Sequence, residues 1–202
     1  LSVQIGFFAS ILSSIIAVAL AFLSSFNKHL DSFVSWLIDV FLSIPHILLI
    51  ILISIALGGG AFGVLIGVAF THWTSLARVL RAEIKCIKTS EFVTISEKLG
   101  QSKFWIARKQ ILPLVITQVI VGTILIFPHA IMHEASVTFL GFGLSPHEPA
   151  IGIILSESMK YLATGNWWLA LFPGLALLIL VLLFDIAGEN IKKMLDPASA
   201  ND

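Results

Sequence analysis

Charge is scarce in this sequence. Only 12% of its 202 residues are Asp, Glu, Lys or Arg, and the formal net charge is zero. A soluble domain would carry about 25%. The balance leaves no global basic field, and no nucleic acid partner is expected. A single cysteine, Cys86, excludes a disulfide within the chain. No Gly-rich loop ending in Gly-Lys-Ser/Thr is present, which excludes that route to nucleotide hydrolysis by this chain. There is no low-complexity segment and no clear internal repeat.

What is abundant is apolar surface. Hydrophobic residues make up 57% of the chain and the mean hydropathy is +1.00. Lipid must therefore solvate much of the surface. A membrane helix needs about 20 mostly apolar residues, and five stretches qualify: 3–25, 34–57, 62–80, 114–133 and 167–187. Backbone groups in lipid must be satisfied within the segment, so runs of this length mean helices. Strands of a membrane barrel are about ten residues long and alternate strictly, and none of the five does. The expected fold class is all-α and integral to the membrane, one polytopic helical bundle over residues 1–202 with five spans. Gly58-Gly59-Gly60 predicts a tight turn between the second and third. Pro45, Pro128 and Pro173 are expected to kink their helices. The chain opens at Leu1 inside an apolar run with no initiator Met, so truncation at the N-terminus is expected.

Lys and Arg set the orientation. Lys28, the eight positive residues from Arg78 to Lys109, and Lys192 with Lys193 fall in alternate loops. Eleven of the 12 positive charges thus share one side, and only Lys160 lies on the other. The rich side is the cytoplasm. Residues 137–166 then form an extracytoplasmic loop. Its segment Ile151–Leu162 reads either as a short helix dipping into a vestibule or as one lying flat. Trp167 and Trp168 read as an interfacial aromatic belt. Asp39 reads as a buried polar group or an inter-subunit contact, and Asp185 as a group near the cytoplasmic end.

The cytoplasmic loop 81–113 lacks the Gly, Ser and Pro of a linker. Phe92, Ile95 and Leu99 fall at i, i+3 and i+7, one face of a helix, and Gly100 ends it as a C-cap would. A second helical stretch is expected over 102–112 before Pro113. Such an apolar face needs either lipid headgroups or a docked protein.

Residues Glu91-Phe92-Val93-Thr94-Ile95-Ser96-Glu97-Lys98-Leu99-Gly100, followed by Ile111-Leu112-Pro113, resemble the EAA loop of ATP-binding-cassette (ABC) importer permeases. The name-giving triplet departs, reading Thr94-Ile95-Ser96, while the Gly and the Ile-Leu-Pro keep their spacing. Thr138-Phe139-Leu140-Gly141-Phe142-Gly143-Leu144 is similar to the Ser-Phe-Leu-Gly-Leu-Gly segment of the dipeptide/oligopeptide/nickel permeases. Ala77-Arg78 to Arg81 resembles their Ala-Arg-x-x-Arg. Phe184-Asp185 through Gly188-Glu189 to Leu195-Asp196-Pro197 resembles their C-terminal ending. Their outer Trp-Gly appears as Ile151-Gly152, a second departure.

This resemblance spans essentially the whole chain. It implies the MetI-like bundle of binding-protein-dependent permeases in a prokaryotic inner membrane, with the usual first helix preceding Leu1. It implies a homologous second permease as heterodimer partner, two cytoplasmic ABC ATPases carrying ATP and Mg, an extracytoplasmic substrate-binding protein and membrane lipid. It implies no cofactor on this chain and no catalysis by it. The coupling residues it implies are Glu91, Phe92, Thr94, Ile95, Ser96, Leu99, Gly100, Ile111 and Pro113.

Ionisable groups within spans are costly and mark pathways. His129 and His133 stand at i and i+4 with Glu134 beside them, a spacing that can turn two imidazoles toward one ion. His46 and His72 are further candidates for the same path. The nickel-permease branch is the closer resemblance, through His72-Trp73 before Ala77-Arg78 and His129-x-x-x-His133 before the Phe-Leu-Gly segment. The expected cargo is nickel or a related metal, free or chelated, touched transiently by His129 and His133. The alternative is dipeptide or oligopeptide, with histidines that bond between helices or line a wet path. Two remoter readings are an intramembrane metal hydrolase, for which the order His-x-x-x-His-Glu is not His-Glu-x-x-His, and a secondary transporter or channel, which needs no docking loop.

Overall fold

The computed structural model describes residues 1–195, so the Asp196-Pro197 ending lies outside the described residues. Among the described residues nine α-helices follow in order: α1 (Ser2–Ser24), α2 (Lys28–Ser43), α3 (His46–Ala56), α4 (Gly60–Lys88), α5 (Glu91–Lys98), α6 (Lys103–Ile106), α7 (Leu112–Phe139), α8 (Ile151–Leu162) and α9 (Trp168–Leu195). A π-helical turn, Ala107–Ile111, joins α6 to α7. No strand occurs among the described residues.

Three long helices, α1, α4 and α7, pack together as the centre of the bundle. Small residues allow this. On α1, Ser10, Ser13, Ala17 and Ala21 are buried while Phe7, Phe8 and Ile15 face outward. Close backbone approach through small residues is the usual route to helix association in lipid, which offers no hydrophobic drive of its own. Thr123 Oγ1 donates to Ser14 Oγ at 2.7 Å and ties α7 to α1. The buried core falls into two clusters. One holds Ala17, Val34, Trp73, Leu80, Val93 and Ile111. The other holds Ile5, Ile50, Val64, Val68, Ala130 and Val137.

The stretch 34–57, expected as one span, is instead two helices bent by 95°. The cause is local. Pro45 has no N–H to continue α2, and it drives Ile44 into extended backbone (φ −100°, ψ 132°). The 11 residues of α3 rise about 16 Å, roughly half the ~30 Å hydrocarbon core. Among the described residues four helices are long and apolar enough to cross, or five spans if the bent pair counts as one. The triple glycine turn is as expected, with φ of +89°, +77° and +70° at Gly58, Gly59 and Gly60. It returns α4 against α3 at very short range. A Cβ at Gly63 would stand 2.8 Å from the Ser54 carbonyl oxygen, and one at Gly67 2.9 Å from that of Ile50.

The two ends of the bundle are distinct. At one, Arg81 Nη2 donates to the Asp31 and Ser35 side chains, and to the Asp31 carbonyl at 3.1 Å. Lys85 reaches Asp31 at 2.8 Å, and Lys88 donates to the Ser25 carbonyl. At the other, Ile151 N–H donates to Ser2 Oγ at 3.3 Å, and Gly152 packs on the Ala135 backbone of α7. The positive loops therefore gather at one end and α8 at the other, as the charge asymmetry requires.

Candidate functional site: a docking helix and a histidine-lined cavity

The loop between α4 and α7 is ordered by three devices. α4 itself runs on to Lys88, past Arg78 and Arg81. Val93, which the sequence pattern overlooked, is buried against the core cluster with Ile106 and Ile111 and anchors α5. Gln110 donates to Ser96 Oγ at 2.6 Å and ties α5 to the π turn. That turn closes with Leu112 N–H on the Ala107 carbonyl, just before Pro113, which has no N–H to give. The stretch expected as a second free helix is thus the overhanging start of a continuous 37-residue helical run, Lys103–Phe139.

Gly100 ends α5 at φ +82°. Its N–H donates to the Glu97 carbonyl at 3.0 Å, and that of Gln101 to Ser96 at 3.1 Å, the bond pattern of a Schellman cap. Nothing lies within 4 Å of where its Cβ would stand, so the glycine serves conformation and not close packing. Phe92, Ile95 and Leu99 are exposed, Leu99 by 76%. Glu91 and Thr94 are exposed beside them, while Ile111 is buried beneath. The exposed apolar face thus stands on a helix pinned from behind by Val93 and Gln110.

The second feature is a cavity of about 470 Å³, lined among others by His46, His72, His129, His133, Gln118 and Lys192. His46 is the first residue of α3, delivered by the Pro45 break. His72 comes from the middle of α4, held there by the Gly63 and Gly67 contacts. His133 comes from α7. Their ring centroids lie 4.9 Å (His72–His133), 5.5 Å (His46–His72) and 6.2 Å (His46–His133) apart. One ring nitrogen from each lies within 4.8 Å of the others. His129, one turn back on α7, is exposed and lines the same cavity without joining this close group.

The hydrogen bonds orient the cluster. His72 Nδ1 lies 3.0 Å from the Val68 carbonyl and 3.0 Å from Thr71 Oγ1. A carbonyl can only accept, so this pairing favours the tautomer with the proton on Nδ1 and the lone pair on Nε2. His133 Nδ1 is buried and has no hydrogen-bond partner among the described residues. Glu134 points elsewhere. It is fully buried and does not line the cavity, and its Oε1 accepts from Thr138 Oγ1 at 2.8 Å. No carboxylate of α7 therefore serves the histidines as a base, which removes the geometric basis of the hydrolase reading. Asp39, expected either buried or at a subunit contact, is not buried. Its side chain is 76% exposed, 3.9 Å from Arg78 on α4.

A helical bundle of this connectivity, with a pinned external helix and a largely apolar cavity into which histidines project, is the architecture of a transporter's membrane subunit. The family described as "Binding-protein-dependent transport system inner membrane component" matches residues 9–198, and the chain belongs to it. The dipeptide transport system permease protein DppC of Bacillus subtilis (strain 168) is 27% identical over 198 residues, 98% of this chain and 62% of that protein. The DppC of Haemophilus influenzae is 32% identical over 98% of this chain and 67% of its own length. The oligopeptide transport system permease protein OppC of Bacillus subtilis is 28% identical over 98% and 65%. The chain thus spans about two thirds of the length of these relatives. Among solved structures, the MetNI methionine ABC transporter in an inward facing conformation superposes with a TM-score of 0.77 over 96% of this chain and 93% of that one. Its identity is 20%, so the likeness is one of fold.

Proposed function

We propose that this chain forms half of the membrane path of an ABC importer for short peptides. A related second permease closes the open side of the cavity. Two cytoplasmic ATPases bind ATP and Mg and dock on the Phe92, Ile95 and Leu99 face of α5. An extracytoplasmic binding protein delivers cargo at the α8 end. Closing of the ATPases around ATP pushes α5, and the push passes through Val93, Ile106 and Ile111 into α4 and α7. The observation that carries the reading is the exposed apolar face on an anchored helix, which a channel or a secondary transporter has no use for. Peptide is favoured over nickel by relatives that are named for dipeptides and oligopeptides along almost the full chain.

A second reading, import of nickel or a nickel chelate, draws its support from His46, His72, His129 and His133 around one cavity. Uptake separates the two. Cells lacking the full-length protein should lose accumulation of a labelled dipeptide and regain it on complementation, with nickel accumulation unchanged. Loss of nickel uptake with dipeptide uptake intact would replace the first reading by the second.

A further inference from the structure

We propose that His46, His72 and His133 form a binding site in this chain for one divalent transition-metal ion of the nickel, cobalt or zinc class. The proposal goes beyond the cargo reading, because the site is built by three helices of the chain itself whatever passes through it. Three imidazoles with an open fourth position is a recurrent arrangement for such ions. The donor set also excludes others: with no oxygen ligand in the group, Ca²⁺ and Mg²⁺ are poor fits, whereas imidazole suits nickel, copper and zinc.

Three observations support the fit. The contact of His72 Nδ1 with the Val68 carbonyl orients the ring and favours the tautomer with Nε2 free, the outer contact that metal-ligating histidines usually make. The buried Nδ1 of His133 has no partner among the described residues, and in an apolar setting an unmet polar atom is costly. The rings meet edge to face or tilted, none of them hydrogen-bonded to another. Two nitrogens bound tetrahedrally at about 2.1 Å stand about 3.4 Å apart, so closing the widest pair from 4.8 Å takes about 1.4 Å shared between two rings, a modest side-chain rotation.

Electrostatics set the strength. Imidazole ligands bring no negative charge, Glu134 faces away, and His46 opens α3, whose N-terminal end is partly positive. Lys192 lies on the same cavity. The ion's charge therefore has no compensating carboxylate in the cluster, and binding should be reversible, with water or an anionic group from the cavity completing the shell. Bound metal would link the half-helix α3 to α4 and α7 and hold the bent pair in place.

The test uses the full-length permease in its assembled complex, purified through a tag without histidines and stripped of metal. Equilibrium dialysis against NiCl₂ should load about one more ion per permease chain than a complex carrying both His46→Ala and His133→Gln. His129→Ala should bind as the unaltered protein does. Each single change, His46→Ala or His133→Gln, should weaken binding at least about tenfold. Co²⁺ should give visible ligand-field bands that the double variant lacks, and size-exclusion chromatography of each variant checks assembly. Equal Ni²⁺ loading by unaltered and doubly altered complexes, or loss of the extra ion in His129→Ala alone, overturns the site. No uptake measurement enters, so peptide import and this site stand or fall separately.

Discussion

Helices α4 and α9 are nearly equal in length, 29 and 28 residues, yet they obey opposite rules. In the most apolar stretch of α4, 61% of residues are buried inside the chain, while in α9 none is, and α9 is the more apolar of the two. In water the greasier helix would be the buried one. In lipid the ordering inverts, because a Leu gains nothing by leaving a hydrocarbon solvent, whereas His72, Thr71 and Thr74 of α4 need partners. α4 buries Gly63, Gly67, Thr71, His72 and Thr74 together with large apolar side chains such as Trp73 and Leu80. α9 turns Phe172, Ile179, Leu183 and Ile186 outward and meets α7 through pairs such as Phe127–Phe184, 4.6 Å between ring centroids.

The contrast breaks most readily at the small residues, and Gly67→Leu should do the greatest damage. Its Cβ would meet the Ile50 backbone at 2.9 Å, and overpacking costs about 1–3 kcal/mol, with the upper end expected where the neighbour is backbone. The expected result is loss of monodisperse complex in detergent. A normal yield would mean that α3 can stand off from α4, and that the histidine cluster is not held by this contact.

A smaller effect is expected at Gly100. With φ at +82° and free space around it, replacement by Leu carries only the conformational penalty, about 1–2 kcal/mol. The spans should still insert, but α5 should lose its end geometry, and transport and ATPase co-purification should fall. Gly100→Asn should be milder, since Asn tolerates this backbone region. Equal activity of Gly100→Leu and the parent would show that the exposed face of α5 is lipid-facing, like that of α9.

The smallest effect belongs to α9. Ile179→Ala, at a side chain more than half exposed, should alter thermal stability of the complex by less than about 0.5 kcal/mol. A loss of several degrees in melting temperature would instead mark this face of α9 as a protein contact.

Much of the architecture is readable along the chain. Apolar runs of sufficient length mark the spans, and the asymmetry of Lys and Arg marks the end where Arg81, Lys85 and Asp31 meet. Gly100 is legible because a helix stop at positive φ has a sequence signature. The bend at Pro45 is only half legible: a proline inside an apolar run signals a kink, but 95° depends on how α3 docks against α4. Val93 escapes notice because the face carrying Phe92, Ile95 and Leu99 looks like the buried one. Three apolar residues in register do not say whether their partner lies in the same chain.

Composition and pattern alone determined that the chain is a multi-helix membrane protein, which end is positive, and where the short helix α5 stops at Gly100. These follow from the solvent and from neighbours a few residues apart. Tertiary structure decided which histidines meet. The i, i+4 spacing of His129 and His133 suggested a pair, yet His133 stands with His46 and His72, brought from 87 and 61 positions away. That choice belongs to the break at Pro45 and to the close α3–α4 approach at Gly63 and Gly67. A chain position can state a side chain's chemistry, but only packing between helices brings distant donors to one point.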